Sequence, residues 1–412
     1  MRIFTFLYAF LLSAVLAAQT NVGLVAYYPF EETLEDVTGN TANTGVANGN
    51  PQYVCGVKDE GILLNGASDA ITIAGGNING EFDTEDFTVS FYFKPVGTNG
   101  VQYLLSKRSP DCNNENIFYI RYVPETRTVN AYLSEIPEKT VSLVHTIKNN
   151  SCWQNLVLVR DNFRVRMYVN GQFAGDLGTA TRINLENNGK LIIGSANCRT
   201  GSEVPFSGMI DELRFYNRAL DEREVKSLYL APDMIVNPDT LLFLGNSIDI
   251  ELTNTCADEF SWTTNGAPTD LSSLTAPEPT ITPSQAGVFI YRLNMDNPIS
   301  PCSANDSIRI NVVDPDELEC DELYLPKAFT PNGDGLNDTY GISNPFAVQQ
   351  LISFEIFDRW GGRMFAAENT PFAQWDGTFK GEPVNSGVMI YKIIYICDGV
   401  ERLASGSFSI LR

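Results

Sequence analysis

Runs of alternating apolar and polar residues, each closed by a turn-forming cluster, fill this chain and point to β-sheet throughout. Gly, Asn and Thr interrupt it about every ten residues, the spacing of short strands in an all-β fold. Phe87, Val89, Phe91 and Phe93 alternate with Thr88, Ser90, Tyr92 and Lys94 ahead of Pro95. Successive strand side chains point to opposite faces, so this pattern predicts a half-buried strand. Val165, Met167 and Val169 alternate with Arg164, Arg166 and Tyr168, and Asn170-Gly171 follows as a hairpin signal. Leu156 to Val159 is a continuous apolar run, suited to a strand covered on both faces.

One segment breaks the period. Asp221 and Glu224 form a capping-box pattern, with Leu220 and Val225 placed as a hydrophobic staple, so a short helix is expected to end near Leu230. Ala231-Pro232 then closes a first segment, residues 19–231. A second, residues 233–314, is rich in Thr and Pro. Ile248 and Ile250 alternate with polar neighbours there, as do Ile308, Ile310 and Val312. Its Cys256, Trp262 and Cys302 fit an immunoglobulin-like sandwich with a core tryptophan, although the Cys–Trp gap is short. The acidic run from Asp314 reads as a linker. The third segment, residues 320–412, has strand patterns at Ile352, Phe354, Ile356 and at Met389, Tyr391, Ile393, Tyr395. No fixed-period repeat relates the three, which disfavours a solenoid or propeller.

The chain is 43% hydrophobic with 24 Phe and 17 Tyr, too rich in core-forming residues for disorder. Its formal charge of −22 argues against nucleic acid, which needs a basic footprint. At the start, Arg2, the apolar run Ile3–Leu16 and the small residues Ala17 and Ala18 have the pattern of an export signal, residues 1–18. No later stretch approaches the roughly twenty apolar residues of a membrane helix, so no membrane span is expected in the mature protein.

With an export signal, eight cysteines read as disulfides. Zinc is disfavoured because there is no CxxC pair and His145 is the sole histidine. Cys112 follows the strand pattern Leu104–Lys107 and Cys198 follows Leu191–Gly194. Counting strand reversals puts both loops at one end, which pairs Cys112 with Cys198 and leaves Cys55 with Cys152. The two other pairings of these four stay open. Cys256 is expected to pair with Cys302, and Cys320 with Cys397.

Two resemblances add to this reading. Gly23-Leu-Val-Ala-Tyr-Tyr-Pro-Phe30, Phe87 to Phe93, Trp153 with Val157 to Asp161, Met167 to Gly171 and Phe206 to Leu220 resemble, in order, the landmarks of laminin-G-like (concanavalin A-like, pentraxin-related) jelly rolls. Leu325 to Asp338, Phe357-Asp-Arg-Trp-Gly361, Trp375-Asp-Gly377, Gly387 to Tyr391 and Gly406 to Arg412 resemble the gliding-motility-associated C-terminal domain. That domain is the type B sorting signal of the type IX secretion system of Bacteroidetes. The resemblances imply a concanavalin A-like sandwich, an Ig/PKD-like spacer and a small β-sandwich sorting domain, with the type IX secretion machinery as a partner. Location outside the cell, exported through the periplasm, follows from the same resemblance.

Catalysis finds little support. Glycosidases on jelly rolls use paired carboxylates on one strand face, and no Glu-x-Asp-x-x-Glu string occurs here. Asp211 and Glu212 are adjacent and expected to face opposite ways. With one histidine and no Gly-x-Ser-x-Gly motif, a serine triad is equally unsupported. Calcium is the better chemical expectation. By resemblance, Asp211 with Asp36 and Asn40 forms a structural Ca²⁺ site, the alternative being that Asp211 caps a turn or pairs with Arg214. Pro331, Asn332, Gly333, Asp334, Gly335, Asn337 and Asp338 form an oxygen-rich loop. It reads as a turn shaped for the secretion machinery rather than a metal loop, since no EF-hand Glu follows. Tyr27, Tyr28, Tyr119, Tyr122 and Tyr132 are candidates for stacking on sugars, against the usual role of aromatics in the core. His145 reads as an ordinary strand residue.

The expected function is a secreted or cell-surface binding or adhesion protein whose jelly roll takes a carbohydrate or protein ligand. The alternatives are a polysaccharide hydrolase or lyase without the usual motif, and a structural surface protein with no small ligand.

Overall fold

A computed structural model describes residues 21–83, 85–148, 152–314, 320–321, 323–332 and 337–411. The expected export signal lies outside them. Strands make up 50% of the structure and helices 5%, so the protein is all-β. The chain forms two compact units. The first comprises Met1–Thr240, Ser247–Thr282 and Phe289–Ile310, and the second comprises Leu241–Asn246, Pro283–Val288 and Asn311–Arg412. Most of the middle segment therefore folds with the first.

The first unit is dominated by two eight-stranded antiparallel sheets. One runs in the order Gln172–Gly178, Arg164–Val169, Gln154–Asp161, Phe87–Pro95, Ser207–Tyr216, Glu60–Asn65 and Gln52–Cys55, with Leu24–Tyr28 also paired to Ser207–Tyr216. The other runs Lys139–Thr146, Thr128–Ile136, Ile117–Val123, Val101–Lys107, Leu191–Ile193, Ala70–Ile73 and Gly45–Asn48. Glu203–Pro205 adds a short parallel pairing to Val101–Lys107. Their inner faces share one core containing Phe91, Phe93, Phe118, Ile120, Leu156, Leu158 and Met167. Asn170 and Gly171 both adopt positive φ (51° and 70°), the conformation a two-residue hairpin turn requires, and join Arg164–Val169 to Gln172–Gly178.

Phe87–Pro95 corrects the half-buried expectation. Thr88, Ser90, Tyr92 and Lys94 are buried along with the phenylalanines. The strand lies between two others, and the chain around the helix Glu222–Ser227 covers its outer face. Thr88 Oγ1 donates to the Arg218 carbonyl (2.8 Å), and the Tyr92 hydroxyl donates to the Leu228 carbonyl (3.1 Å). The expected capping box is present, with Asp221 accepting from the Glu224 N–H and Glu224 from the Asp221 N–H, both at 2.9 Å. Leu220 and Val225 are fully buried beneath it, beside Val157 and Val159. The run Leu156–Val159 thus serves two cores, its odd residues outside and its even residues inside.

In the middle segment, Glu259–Thr264 pairs antiparallel with Gly287–Asn297, whose next neighbour is Ser300–Val313. Trp262 is buried opposite Leu293, its indole N–H donating to the Ala276 carbonyl at 2.9 Å.

The second unit is built on a five-stranded sheet in the order Ala328–Phe329, Val400–Ile410, Gly387–Cys397, Gln350–Phe357 and Arg363–Ala367. Phe329, Tyr340, Trp375 and Phe408 pack together in its core, Tyr340 stacked on Phe408 at 3.5 Å. The expected strand at Ile352 to Ile356 carries a bulge between Leu351 and Ser353. Leu351, rather than Ile352, therefore joins Phe354 and Ile356 in the core.

The disulfides depart from the expected pattern. Cys112 pairs with Cys198 and Cys320 with Cys397, but Cys55 is bonded to Cys256 and Cys152 to Cys302. The expected pairs Cys55–Cys152 and Cys256–Cys302 do not form. Cys256 precedes the strand Glu259–Thr264, and Cys302 lies at the start of Ser300–Val313. Both meet the jelly roll instead of each other. The first and middle segments are therefore stapled to each other, while Cys112–Cys198 closes within the first and Cys320–Cys397 within the third.

Candidate binding face

Outward residues of the second sheet form two transverse rows set by strand register, a bulge between Tyr103 and Leu105 shifting the alternation on that strand. One row is Ser142, Tyr132, Tyr119 and Ser106, and the other is Val144, Asn130, Arg121 and Tyr103. Their strand neighbours Phe118, Ile120, Ala131 and Leu133 are fully buried, so the alternation of these strands places the tyrosines on the outer face. Tyr119 and Tyr132 stack in parallel with ring centroids 4.8 Å apart, and Tyr103 meets Tyr119 edge-on at 5.6 Å. The Arg121 guanidinium lies 4.0 Å from the Tyr119 ring centroid. It is held there by Glu203, whose carboxylate accepts from it at 2.8 Å and also from the Thr200 N–H at 2.9 Å. Asn130 Nδ2 donates to Ser142 Oγ at 3.0 Å. Burial raises the Tyr119 pKa and pushes the Tyr103 phenol up to about 12, so both stay neutral.

The loop bearing Cys198 borders this face. Ser106 Oγ donates to the Ser195 carbonyl (2.8 Å), Cys198 bonds Cys112, and the Val101 N–H donates to the Ser202 carbonyl (2.9 Å). Val101–Lys107 and Leu191–Ile193 are adjacent and antiparallel. The chain after Ile193 thus reaches out to Cys112 and doubles back to run parallel beside Val101–Tyr103. The disulfide pins this loop.

The other expected aromatics have different surroundings. Tyr28 and Tyr122 are buried in the core, the Tyr28 hydroxyl donating to the Asn43 carbonyl at 2.6 Å. Tyr27 donates to Glu212 (2.5 Å), while Arg214 pairs with Glu212 and covers the Tyr27 ring at 4.2 Å. Neither the sequence pattern nor the resemblance marked Arg121 or Tyr103. The register that puts them beside Tyr119 is their signal.

The residues expected to hold calcium accept hydrogen bonds from the surrounding chain. Asp211 Oδ2 accepts from the N–H groups of Val57 (2.7 Å) and Lys58 (3.2 Å), and Oδ1 from that of Glu212 (2.6 Å). Burial, reinforced by the Glu212 carboxylate, pushes the Asp211 carboxyl up to about 8 against those three donors. Asp36 accepts from the N–H groups of Tyr27 and Thr38 and from Asn43 Nδ2, and Asn40 caps a short 3₁₀ turn through the Ala42 N–H. Their hydrogen bonds run to separate partners: Asp211 ties Ser207–Tyr216 to the backbone of Val57 and Lys58, Asp36 holds Tyr27, Thr38 and Asn43, and Asn40 caps a local turn. Asp211 and Glu212 are both buried at a bulge in Ser207–Tyr216, where Glu212 adopts a φ of 54°. This pair offers no open carboxylate to a substrate.

In the second unit, Asp338 Oδ1 accepts from the Asn332 N–H (2.9 Å), and the Thr330 N–H donates to the Asn337 carbonyl (2.9 Å). These bonds draw the two described ends of the oxygen-rich segment together. Gly333, Asp334 and Gly335 lie outside the described residues. No described helix is long and apolar enough to cross a membrane.

Comparison with known proteins separates the two ends of the chain. The concanavalin A-like lectin/glucanases superfamily matches residues 65–226, and the CHU_C type IX secretion signal domain matches residues 323–410. Similar solved structures include domain 4 of AbnA, a GH43 extracellular arabinanase from Geobacillus stearothermophilus, in complex with arabinotriose. It is 24% identical over 50% of this chain and 98% of that one, with a TM-score of 0.38. The CBM40 of the Ruminococcus gnavus IT-sialidase bound to α2,3-sialyllactose is 18% identical over 41% and 96%, with a TM-score of 0.36. The binding domain of Paraclostridial Mosquitocidal Protein 1 is 14% identical over 92% and 88%, with a TM-score of 0.44. No curated protein matches the sequence. The chain thus joins a domain of the concanavalin A-like lectin/glucanase superfamily to a type IX secretion signal domain, which implies export to the cell surface or beyond.

Proposed function

We propose that this is an exported, non-catalytic saccharide-binding protein whose ligand rests on the outer face of the sheet Lys139–Thr146 to Val101–Lys107. The stacked pair Tyr119–Tyr132 carries the reading. Tyr119 is covered by Tyr132 and by a guanidinium already paired with Glu203, so the half-buried stack offers a ligand the outer face of Tyr132 and the ring edges, beside neutral hydrogen-bonding groups at Asn130 and Ser142. Sugar rings have one apolar face and an equatorial rim of hydroxyls, and such a surface complements both. The middle segment holds this module in a fixed relation to its two disulfide partners, and the C-terminal domain engages the secretion machinery.

The test is a glycan array probed with the full chain and with Tyr119→Ala and Tyr132→Ala. Glycans retained by the native protein and lost by both variants support the reading. Equal retention by all three removes the platform. Release of new reducing ends or unsaturated products from a bound glycan would replace the binding role with an enzymatic one. For the second unit, deletion of residues 320–412 is expected to leave the protein in the periplasm. Unchanged surface delivery would refute the sorting role.

A further inference from the structure

A second concavity of the first unit has a chemistry that the tyrosine face lacks. Several strands of the jelly roll end on one side: Phe87–Pro95 runs into Val96–Thr98, Ile117–Val123 into Pro124, and Lys139–Thr146 into Lys148. The Cys152–Cys302 bond brings the middle segment against these ends. Between them lies a cavity of about 400 Å³, within the range of small-ligand sites. Its apolar wall is made by Pro95, Val96, Tyr122, Pro124 and Ile147, and Thr98, Gln154 and Ser303 add neutral polar groups.

Among the described residues, the charged groups on this wall are Arg127 and Lys148, and no carboxylate lines the cavity. Both cations are exposed, and neither forms an ion pair among the described residues. In a chain with 50 acidic and 28 basic residues, two unpaired cations sharing one acid-free hollow are a local reversal of sign. A neighbouring cavity of about 360 Å³ shares Lys148 and Gln154, but Asp233 and Asp306 line it, so the reversal of sign is confined to the first hollow.

We propose that this cleft binds an acidic oligosaccharide, with Arg127 and Lys148 receiving the carboxylate or sulfate of one sugar and the apolar wall receiving its ring face. A guanidinium matches an oxyanion with paired donors and an ammonium adds a point charge. Thr98, Gln154 and Ser303 match hydroxyls. The Cys152–Cys302 bond fixes the opposing walls, so little ordering is needed on binding. The proposal shares with the platform reading only the premise of a saccharide ligand, and it stands if the tyrosine face proves inert.

Calorimetric titration of the full chain, disulfides intact, with trigalacturonate, its methyl ester and a chondroitin sulfate tetrasaccharide tests it. The acid is expected to bind at least ten-fold more tightly than the ester, with affinity falling as salt rises. The tetrasaccharide shows whether sulfate serves as well as carboxylate. The pair Arg127→Ala with Lys148→Ala should abolish the preference for acid. Ser303→Trp, which fills the hollow and keeps both cations, should abolish the preference for acid. That preference is expected to persist in Tyr119→Ala whatever the variant does to total saccharide affinity, which separates this site from the tyrosine platform. Equal affinity for acid and ester, an acid preference surviving the double substitution, or its loss in Tyr119→Ala would each overturn the proposal. So would failure of all three probes to bind a chain whose melting temperature shows it folded.

Discussion

Cys55 is bonded to Cys256, 201 residues further along the chain. With Cys152–Cys302 it crosses from the jelly roll into the middle segment twice. A segment expected to be a spacer is therefore covalently tied to the domain before it. Peptide mapping by mass spectrometry without reduction should recover Cys55–Cys256 and Cys152–Cys302. Recovery of Cys55–Cys152 and Cys256–Cys302 would return the middle segment to the status of an independent module.

Each long-range bridge restricts the unfolded chain, so its removal has a cost. Cys152→Ser with Cys302→Ser is expected to lower the stability of the first unit by about 2–5 kcal/mol. Urea unfolding followed by tryptophan fluorescence would report it, since Trp153 and Trp262 are both buried there. An unchanged midpoint would mean that the two segments are held together without the bridge.

Truncating Tyr132 removes half of the stacked pair while leaving the inward-facing core of its strand in place. Aromatic contacts of this kind contribute about 0.5–1.5 kcal/mol. Tyr132→Ala should therefore lower stability by no more than about 0.5–1.5 kcal/mol while array retention of the glycan is lost. A large loss of stability with unaltered affinity would assign the pair to the fold instead.

Asp211 makes the stability of the first unit depend on pH. Its carboxyl is raised from 3.8 to about 8, so between these values the folded state holds a proton that the unfolded state has released. The contribution is favourable below this window and is lost as pH rises through it. Carbon NMR with labelled aspartate carboxyls should show one resonance titrating near 8, absent from Asp211→Ala, while the urea midpoint declines from pH 5 to pH 9. An aspartate set titrating wholly below pH 5 would contradict the buried, Glu212-facing environment.

The hydrogen bonds of Asp36 and Asp211 also bear on calcium. Their oxygens already accept backbone and amide N–H groups. Chelation with EDTA is expected to leave the melting temperature unchanged. A fall of several degrees, reversed by added Ca²⁺, would support the metal site expected from resemblance.

Much of this molecule was legible in the order of its residues. Strand periodicity gave the all-β class, Asn170-Gly171 gave a hairpin, and Asp221 with Glu224 gave a capped helix, because each signal acts over a few neighbouring residues. Family landmarks placed the jelly roll and the secretion domain at the two ends. Burial of Thr88, Ser90, Tyr92 and Lys94 was not legible, since it depends on the distant residues around Leu228 folding over a central strand. Nor were the partners of Cys55 and Cys152, because an even cysteine count per segment fits internal and crossing pairs alike. Of five candidate tyrosines, strand register selected Tyr119 and Tyr132 and turned Tyr28 and Tyr122 into the core. Local pattern determined which elements form. Only tertiary packing decided which faces are covered and which cysteines meet, because both depend on contacts across 100 or more residues that no local pattern encodes.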